Sequence, residues 1–297
     1  MTQKQIERKA LKVSCVVNFF MFGAGFWAFA ETNIQALFLD CFFSLIAFSS
    51  CLSALTISKI SGKKTANYPG GLYFLEPLFA VFKSLLTLGL SAFSVIGTAK
   101  TAWKYFCCGI GEPLVIGPVI PYAVIMVILC LGLGFFNKGQ NRRTNDTSTI
   151  LAAEAKGNFV DGVLSLGVGI SALLLKRIDI GGSLGFLHHI GDFFITVILV
   201  LLSVKEPAVM LASSFRELTG GVLADRKLEG QILELLEKNL RDVLLWQNCE
   251  IYKVGMHIRI YIYLSSGADY KNVQTAKENL RHAICAVCEN AEFIFCQ

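Results

Sequence analysis

Six mainly apolar runs divide the first two-thirds of this chain, near Leu11–Ala30, Ile34–Ile57, Tyr73–Ala99, Val119–Phe136, Ile150–Leu175 and Asp192–Ser214. Each is close to the roughly 20 residues that a helix needs to cross a bilayer. A backbone in hydrocarbon must satisfy its own N–H and C=O groups, so such runs become helices. The rest of the composition agrees: 54% of residues are hydrophobic and 16% charged, against about a quarter charged in soluble domains. The expectation is an all-α, six-helix transmembrane bundle. The formal net charge of +5 is small, and the basic residues are scattered rather than gathered in a stripe, which argues against a nucleic-acid partner.

Positive charge assigns the two sides. Lys4, Arg8, Lys9 and Lys12 precede the first run, Lys59, Lys63 and Lys64 follow the second, and Lys138, Arg142 and Arg143 follow the fourth. With both termini in the cytoplasm, all of these face inward. The Glu31–Asn33 link carries no positive charge and faces outward, although Lys100, Lys104, Lys176 and Arg177 in the other outer connections weaken the bias. The leading segment MTQKQIERKALK lacks the small-residue cleavage pattern of a signal peptide, so a cytosolic lead-in to a retained helix is expected.

Near residue 216 the pattern changes. Leu228, Ile232, Leu235, Leu236 and Leu240 recur at helical spacing within Arg226–Asp242. Cys249–Val254 and His257–Leu264 read as strands, the second containing the alternating stretch IRIYIYL. Lys271–Glu289 reads as a second helix and Ala291–Cys296 as a last strand. The expected division is a membrane domain over 1–215 and a small cytosolic α+β domain over 216–297, ferredoxin-like with αββαβ order.

Two aspartates inside the apolar runs, Asp40 and Asp161, point most directly to function. A carboxylate at membrane depth costs several kcal/mol, roughly, unless something uses or neutralises it. Helical spacing sets Asn33, Asp40, Ser44 and Cys51 on one face of the second run, and Glu154, Asn158, Asp161 and Ser165 on one face of the fifth. If those stripes face each other, oxygen donors cluster around two carboxylates, which suits a divalent cation. Glu76 and Lys83 share a face of the third run and can pair. His188 and His189 adjoin each other, as metal-binding residues on a helix do not. His257 and His282 stand alone. The ten cysteines lie mostly in apolar runs or the C-terminal region and read as small hydrophobes. Cys285 and Cys288 are spaced as CxxC but have no second pair to complete a zinc site. No nucleophile–base constellation and no glycine-rich phosphate loop after a strand is visible, so the chain is not expected to be an enzyme and no resident cofactor is implied.

Four segments resemble the cation diffusion facilitator family in order and spacing: ALFLDCFFSL in the second run, KKTANYPGGLYFLEPLFAVFKSL leading into the third, EAKGNFVDGVLSLGVG in the fifth, and SSFRELTGGVLAD after the sixth. The resemblance implies a secondary transporter of divalent metal cations, a divergent member of the family. It implies efflux by proton antiport, a site midway between helices two and five, a homodimer in contact with membrane lipid, and a bacterial inner-membrane location.

Against the family pattern of two ligands from each of those helices, this chain has Asp40 with Ser44, and Asp161 with Gly157 four residues before it. Asn158 is the nearest polar substitute. The expected ligand set is therefore Asp40, Ser44, Asn158 and Asp161. Among Mn²⁺, Fe²⁺, Mg²⁺ and Zn²⁺, such oxygen donors favour the first three over zinc, which prefers nitrogen and sulfur. The histidines that zinc-transporting relatives often carry in the link to helix three are absent here, and the stretch IYIYL and the terminal FIFCQ lack the histidine of the metal cluster such relatives often have in the cytosolic domain. The alternative reading is a paralogue that has lost transport and acts as a partner subunit or metal sensor.

Overall fold

In the computed structural model, each apolar run coils into a helix, as a backbone without access to water requires. The structure describes residues 3–60, 63–109, 113–143, 149–179, 182, 184–223, 226–240, 246–255, 257–264, 280 and 291–296. Six of its helices are long and apolar enough to span a membrane. These comprise α1 (Gln3–Thr32), α2 (Gln35–Ile60), α3 (Leu75–Cys108), α4 (Val119–Arg143), α5 (Thr149–Arg177) and the pair α6 (Leu187–Ser203) and α7 (Lys205–Leu218). The third span outruns the expected Ala99 and continues to Cys108, so Lys100 and Lys104 lie inside a helix rather than in a connection. Between α6 and α7 the helix is interrupted at Val204. Pro207 explains the break, because it has no N–H to offer the carbonyl of Ser203 and its ring crowds that carbonyl.

The chain divides into two compact units, Met1–Thr56 with Lys83–Ala208, and Ile57–Phe82 with Val209–Gln297. In the first unit, α4 packs most extensively on α5, and α1 lies against α4. Hydrophobic association is weak in lipid, so close packing and small residues must hold helices together. The α4–α5 contact has that character: a Cβ added at Gly169 would stand 3.0 Å from the Ala123 Cβ, and one at Gly162 3.3 Å from the Cys130 Cβ. Met21, Leu37, Met126, Leu164, Val168 and Leu199 form the shared core of α1, α2, α4, α5 and α6. Ser14 of α1 and the Asn137 amide of α4 exchange hydrogen bonds of 2.9 and 3.2 Å within that apolar packing. Other large apolar side chains, Phe20 and Trp103 among them, point away from the packed core, as expected of a surface solvated by acyl chains.

The second unit contains α8 (Arg226–Leu240) and a three-stranded sheet of β1 (Trp246–Val254), β2 (His257–Leu264) and β3 (Ala291–Cys296), in the order β1-β2-β3. β1 pairs antiparallel with β2, and β2 parallel with β3. The alternation of the second strand is borne out: Ile258, Ile260, Ile262 and Leu264 are buried while the residues between them are not. Their inner face meets Ile232 and Leu236 of α8. The expected helix over Lys271–Glu289, with His282, Cys285 and Cys288, lies outside the described residues except for Leu280, which is helical and buried in the same core. The full ferredoxin-like order is therefore an expectation for this region, whereas the three strands are observed.

α7 ends in a Schellman arrangement. Gly220, at φ 75°, carries the chain out of the helix while the N–H of Gly221 donates to the Arg216 carbonyl over 2.8 Å. Gly255, at φ 59°, turns the chain from β1 to β2. Its N–H donates to Glu217 Oε2 over 3.2 Å, and a Cβ there would meet the Tyr73 carbonyl at 2.6 Å and Glu76 Oε2 at 2.8 Å. The link before α3 thus lies on the hairpin, where Tyr73 also stacks on His257 with ring centroids 5.1 Å apart. Gly255→Val is expected to cost about 2 kcal/mol or more, through strain and displaced contacts. Gly230→Ala, in an open position of α8, should stabilise by up to about 1 kcal/mol. Thermal unfolding of the two variants beside the parent chain checks both signs.

Candidate functional site

α2 brings Asp40 and Ser44 into the interior one turn apart, and both are buried. α5 brings in Asn158 and Ser165, also buried, with the partly exposed Asp161 between them. Of the expected stripes, some members meet, while Asn33 precedes α2 in the left-handed region. Asp40 and Asp161 lie within electrostatic reach of each other, and Cys130 of α4 feels the charge of both. The Ser165 hydroxyl lies beside Asp40. Farther along the same faces, the Cys51 thiol of α2 donates to Glu154 Oε2 of α5 over 3.6 Å. Cys41 faces elsewhere: its Sγ donates to the Phe38 carbonyl over 3.1 Å.

Tyr122 of α4 escaped the reading of the sequence. Its hydroxyl donates to Asp40 Oδ2 over 2.7 Å, a bond between buried groups. Gly25 of α1 makes room for it, since a Cβ there would stand 2.9 Å from the Tyr122 oxygen and 2.5 Å from the Cys41 Cβ. The available signal was a lone phenol near the start of an otherwise apolar helix, because a buried tyrosine hydroxyl usually has a partner.

The charges near the site do not balance. Asp161 feels the carboxylates of Asp40 and Glu154, and against them the one ammonium of Lys83. Lys83 also reaches Glu154. Glu206 adds to the field at Asp161 but is paired with Lys156 at 2.9 Å. Three carboxylates against one ammonium leave a surplus of negative charge, which a low-dielectric interior tolerates only with protons or a cation. The Ser165 hydroxyl is directed at Asp40, whereas the Asn158 Nδ2, a donor, has no hydrogen-bond partner. Among the described residues no group of three or more His, Cys, Asp and Glu side chains could hold a metal ion. Further donors to a cation at Asp40 and Asp161 must therefore come from hydroxyls, amides or water. Gly157, four residues before Asp161, is open: a Cβ added there meets nothing within 4 Å.

Asp192, a third acid of the apolar runs, has its partners within the fold. α2 begins after Asn33, which adopts the left-handed region at φ 54°, and Ile34, which has no side-chain oxygen. Its first N–H groups need acceptors from elsewhere. Asp192 of α6 supplies them, with Gln35 N–H donating to Oδ2 over 2.8 Å and Ala36 N–H to Oδ1 over 3.0 Å. Thr196 donates to the same Oδ1 over 3.2 Å. The histidines beside it are also held locally: a His188 ring nitrogen lies 2.8 Å from the Ile178 carbonyl, and His189 stacks on Tyr105.

In the sheet unit, burial pushes the Cys249 thiol up to about 11, aided by Glu250 and Glu229. It therefore stays protonated at neutral pH and is a poor metal ligand. Tyr252 and Tyr263 are both raised as well, the first chiefly by donating to Glu250 and the second chiefly by desolvation.

The family model described as the cation efflux transmembrane domain matches residues 11–219. No curated protein matches this chain.

Asp192→Ala is expected to unfold the protein at a lower temperature, by the equivalent of about 2 kcal/mol, because it orphans the buried N–H groups of α2. Tyr122→Phe should cost less, about 1 kcal/mol. Thermal melts in one detergent rank the two. Cys249 is expected to resist alkylation at pH 8, while the exposed Cys107 and Cys108 react, as peptide mapping of the labelled protein would read out.

Proposed function

The chain belongs to the cation efflux family, and from that premise, a multi-pass membrane transporter of metal cations rather than an enzyme, we propose that it is a secondary transporter of divalent cations. In this reading the cation is cargo, held midway across the membrane between α2 and α5. Asp40 and Asp161 supply the charge, and Ser44 and Asn158 supply neutral oxygens. The observation that carries the proposal is the surplus of carboxylate charge around Asp161, where Asp40 and Glu154 stand against the one ammonium of Lys83. Oxygen donors of this kind favour Mn²⁺, Fe²⁺ or Mg²⁺ over Zn²⁺.

Rocking of the helices opens the site to each side in turn. Carboxylates that bind metal in one state and protons in the other couple export to proton entry. Tyr122, by donating to Asp40, holds that carboxylate in one orientation while the cation comes and goes. Both termini lie in the cytoplasm of a bacterial inner-membrane protein, and the region over 216–297 forms a cytosolic domain through which two copies pair. A second reading, a paralogue that no longer transports, draws on the absence of a third acidic, histidine or cysteine ligand among the described residues.

Asp161→Ala should abolish Mn²⁺ flux into reconstituted vesicles while the protein stays folded; unchanged flux removes Asp161 from the site. The parent protein should bind Mn²⁺ stoichiometrically by calorimetry, and a complete lack of binding favours the non-transporting paralogue. Ser44→Asp combined with Gly157→His restores two strong ligands in a place with room for them, and is expected to raise Zn²⁺ affinity relative to Mn²⁺ by about tenfold or more. Competition binding on that double variant checks the shift.

A further inference from the structure

A groove of about 630 Å³ runs along one flank of the first unit. Lys138 of α4, Lys156, Phe159, Val163 and Leu164 of α5, and Leu202 of α6 are among its lining residues. Its volume lies in the range of built small-molecule sites, about 300–1,000 Å³. Its chemistry is graded. From Lys156 to Leu164 the α5 wall advances roughly 12 Å, close to the depth of one leaflet's hydrocarbon, about 15 Å. The lysines stand at one end of this wall and the aliphatic side chains continue away from them. Val163 and Leu202 are both more than half exposed, so the groove opens sideways rather than into the core.

We propose that this groove is a binding site for one anionic phospholipid, its headgroup phosphate against Lys138 and Lys156 and an acyl chain along Phe159, Val163 and Leu202. Charge complementarity decides the headgroup. Lys138 shares its helix face with Arg142, four residues on, and Arg143 and Lys205 lie at the ends of α4 and α7 nearby in sequence. Against these stands Glu206, which pairs with Lys156 at 2.9 Å. That pair leaves Lys138 as an exposed cation with no ion-pair partner among the described residues. Among the described residues the lining itself contains no carboxylate, and Lys138, Arg142 and Lys156 outnumber the one acid beside them, Glu206, so the basic end carries a net positive charge. The basic end is also the end that the distribution of Lys and Arg assigns to the cytoplasm, where the leaflet is anionic. A second copy of this chain fits poorly, because a symmetric contact over this patch sets lysines against lysines. The inference does not depend on whether the protein transports.

Native mass spectrometry of the full-length protein in a non-ionic detergent tests it, with equimolar phosphatidylglycerol and phosphatidylcholine of identical acyl chains. One phosphatidylglycerol is expected to stay bound per chain, with a preference of roughly tenfold over phosphatidylcholine. Lys138→Gln with Lys156→Gln should bring the two lipids to equal retention, and Lys138→Arg with Lys156→Arg should keep the preference. Val163→Trp, which fills the groove, should lower retention of both. Equal retention by the parent protein, a preference that survives the glutamine pair, unchanged binding to Val163→Trp, or a second chain in place of lipid would each overturn the proposal.

Discussion

A carboxylate taken into a low-dielectric interior must be met by hydrogen-bond donors or by positive charge, and the membrane unit of this protein answers that demand in two ways. Asp192 is met by donors. Two backbone N–H groups at the start of α2 and the Thr196 hydroxyl converge on it, so its charge serves the helix that it caps. Asp40 receives one phenol and Asp161 faces mostly other acids, with Lys83 as the nearest opposing charge. The first arrangement is closed, whereas the second is incomplete without something that carries positive charge. This contrast separates an acid that caps a helix from two acids that face each other within one unit.

The packing around the incomplete site follows from the same constraint. Bringing Tyr122 to Asp40 requires α1 to come close, which Gly25 allows. Bringing α5 beside α4 requires small residues in their contact, which Gly162 and Gly169 provide. In lipid these close approaches replace the hydrophobic drive that would gather helices in water. The glycines of the membrane unit thus do more than loosen helices: they set how near the donors and acceptors can stand.

In the other unit the forces are those of an aqueous domain. Alternating isoleucines of β2 are buried against α8, polar residues stay outside, and Gly71, Gly220 and Gly255 occupy turns with positive φ. The Tyr73–His257 stack and the Gly255–Glu217 hydrogen bond tie the link before α3 and the end of α7 to this hairpin.

The amino-acid sequence by itself determined the spans, the strands and the two polar stripes. Length, apolarity and period-two alternation are local properties, and Asp40, Ser44, Asn158 and Asp161 could be grouped because residues four apart on a helix share a face. It also exposed the missing ligands at Ser44 and Gly157, since those are matters of residue identity. Only the tertiary structure decided which partners the acids have. Tyr122 lies 82 positions from Asp40 and Asp192 lies 157 from Gln35, and no local pattern encodes a hydrogen bond between helices so far apart in the chain. The same holds for Lys83, which shares a face with Glu76 by spacing yet lies within reach of Glu154 and Asp161. Which acid is met by donors and which faces other acids depends on helix packing, because the cost of a buried charge is set by what surrounds it in space rather than by what precedes it in the chain.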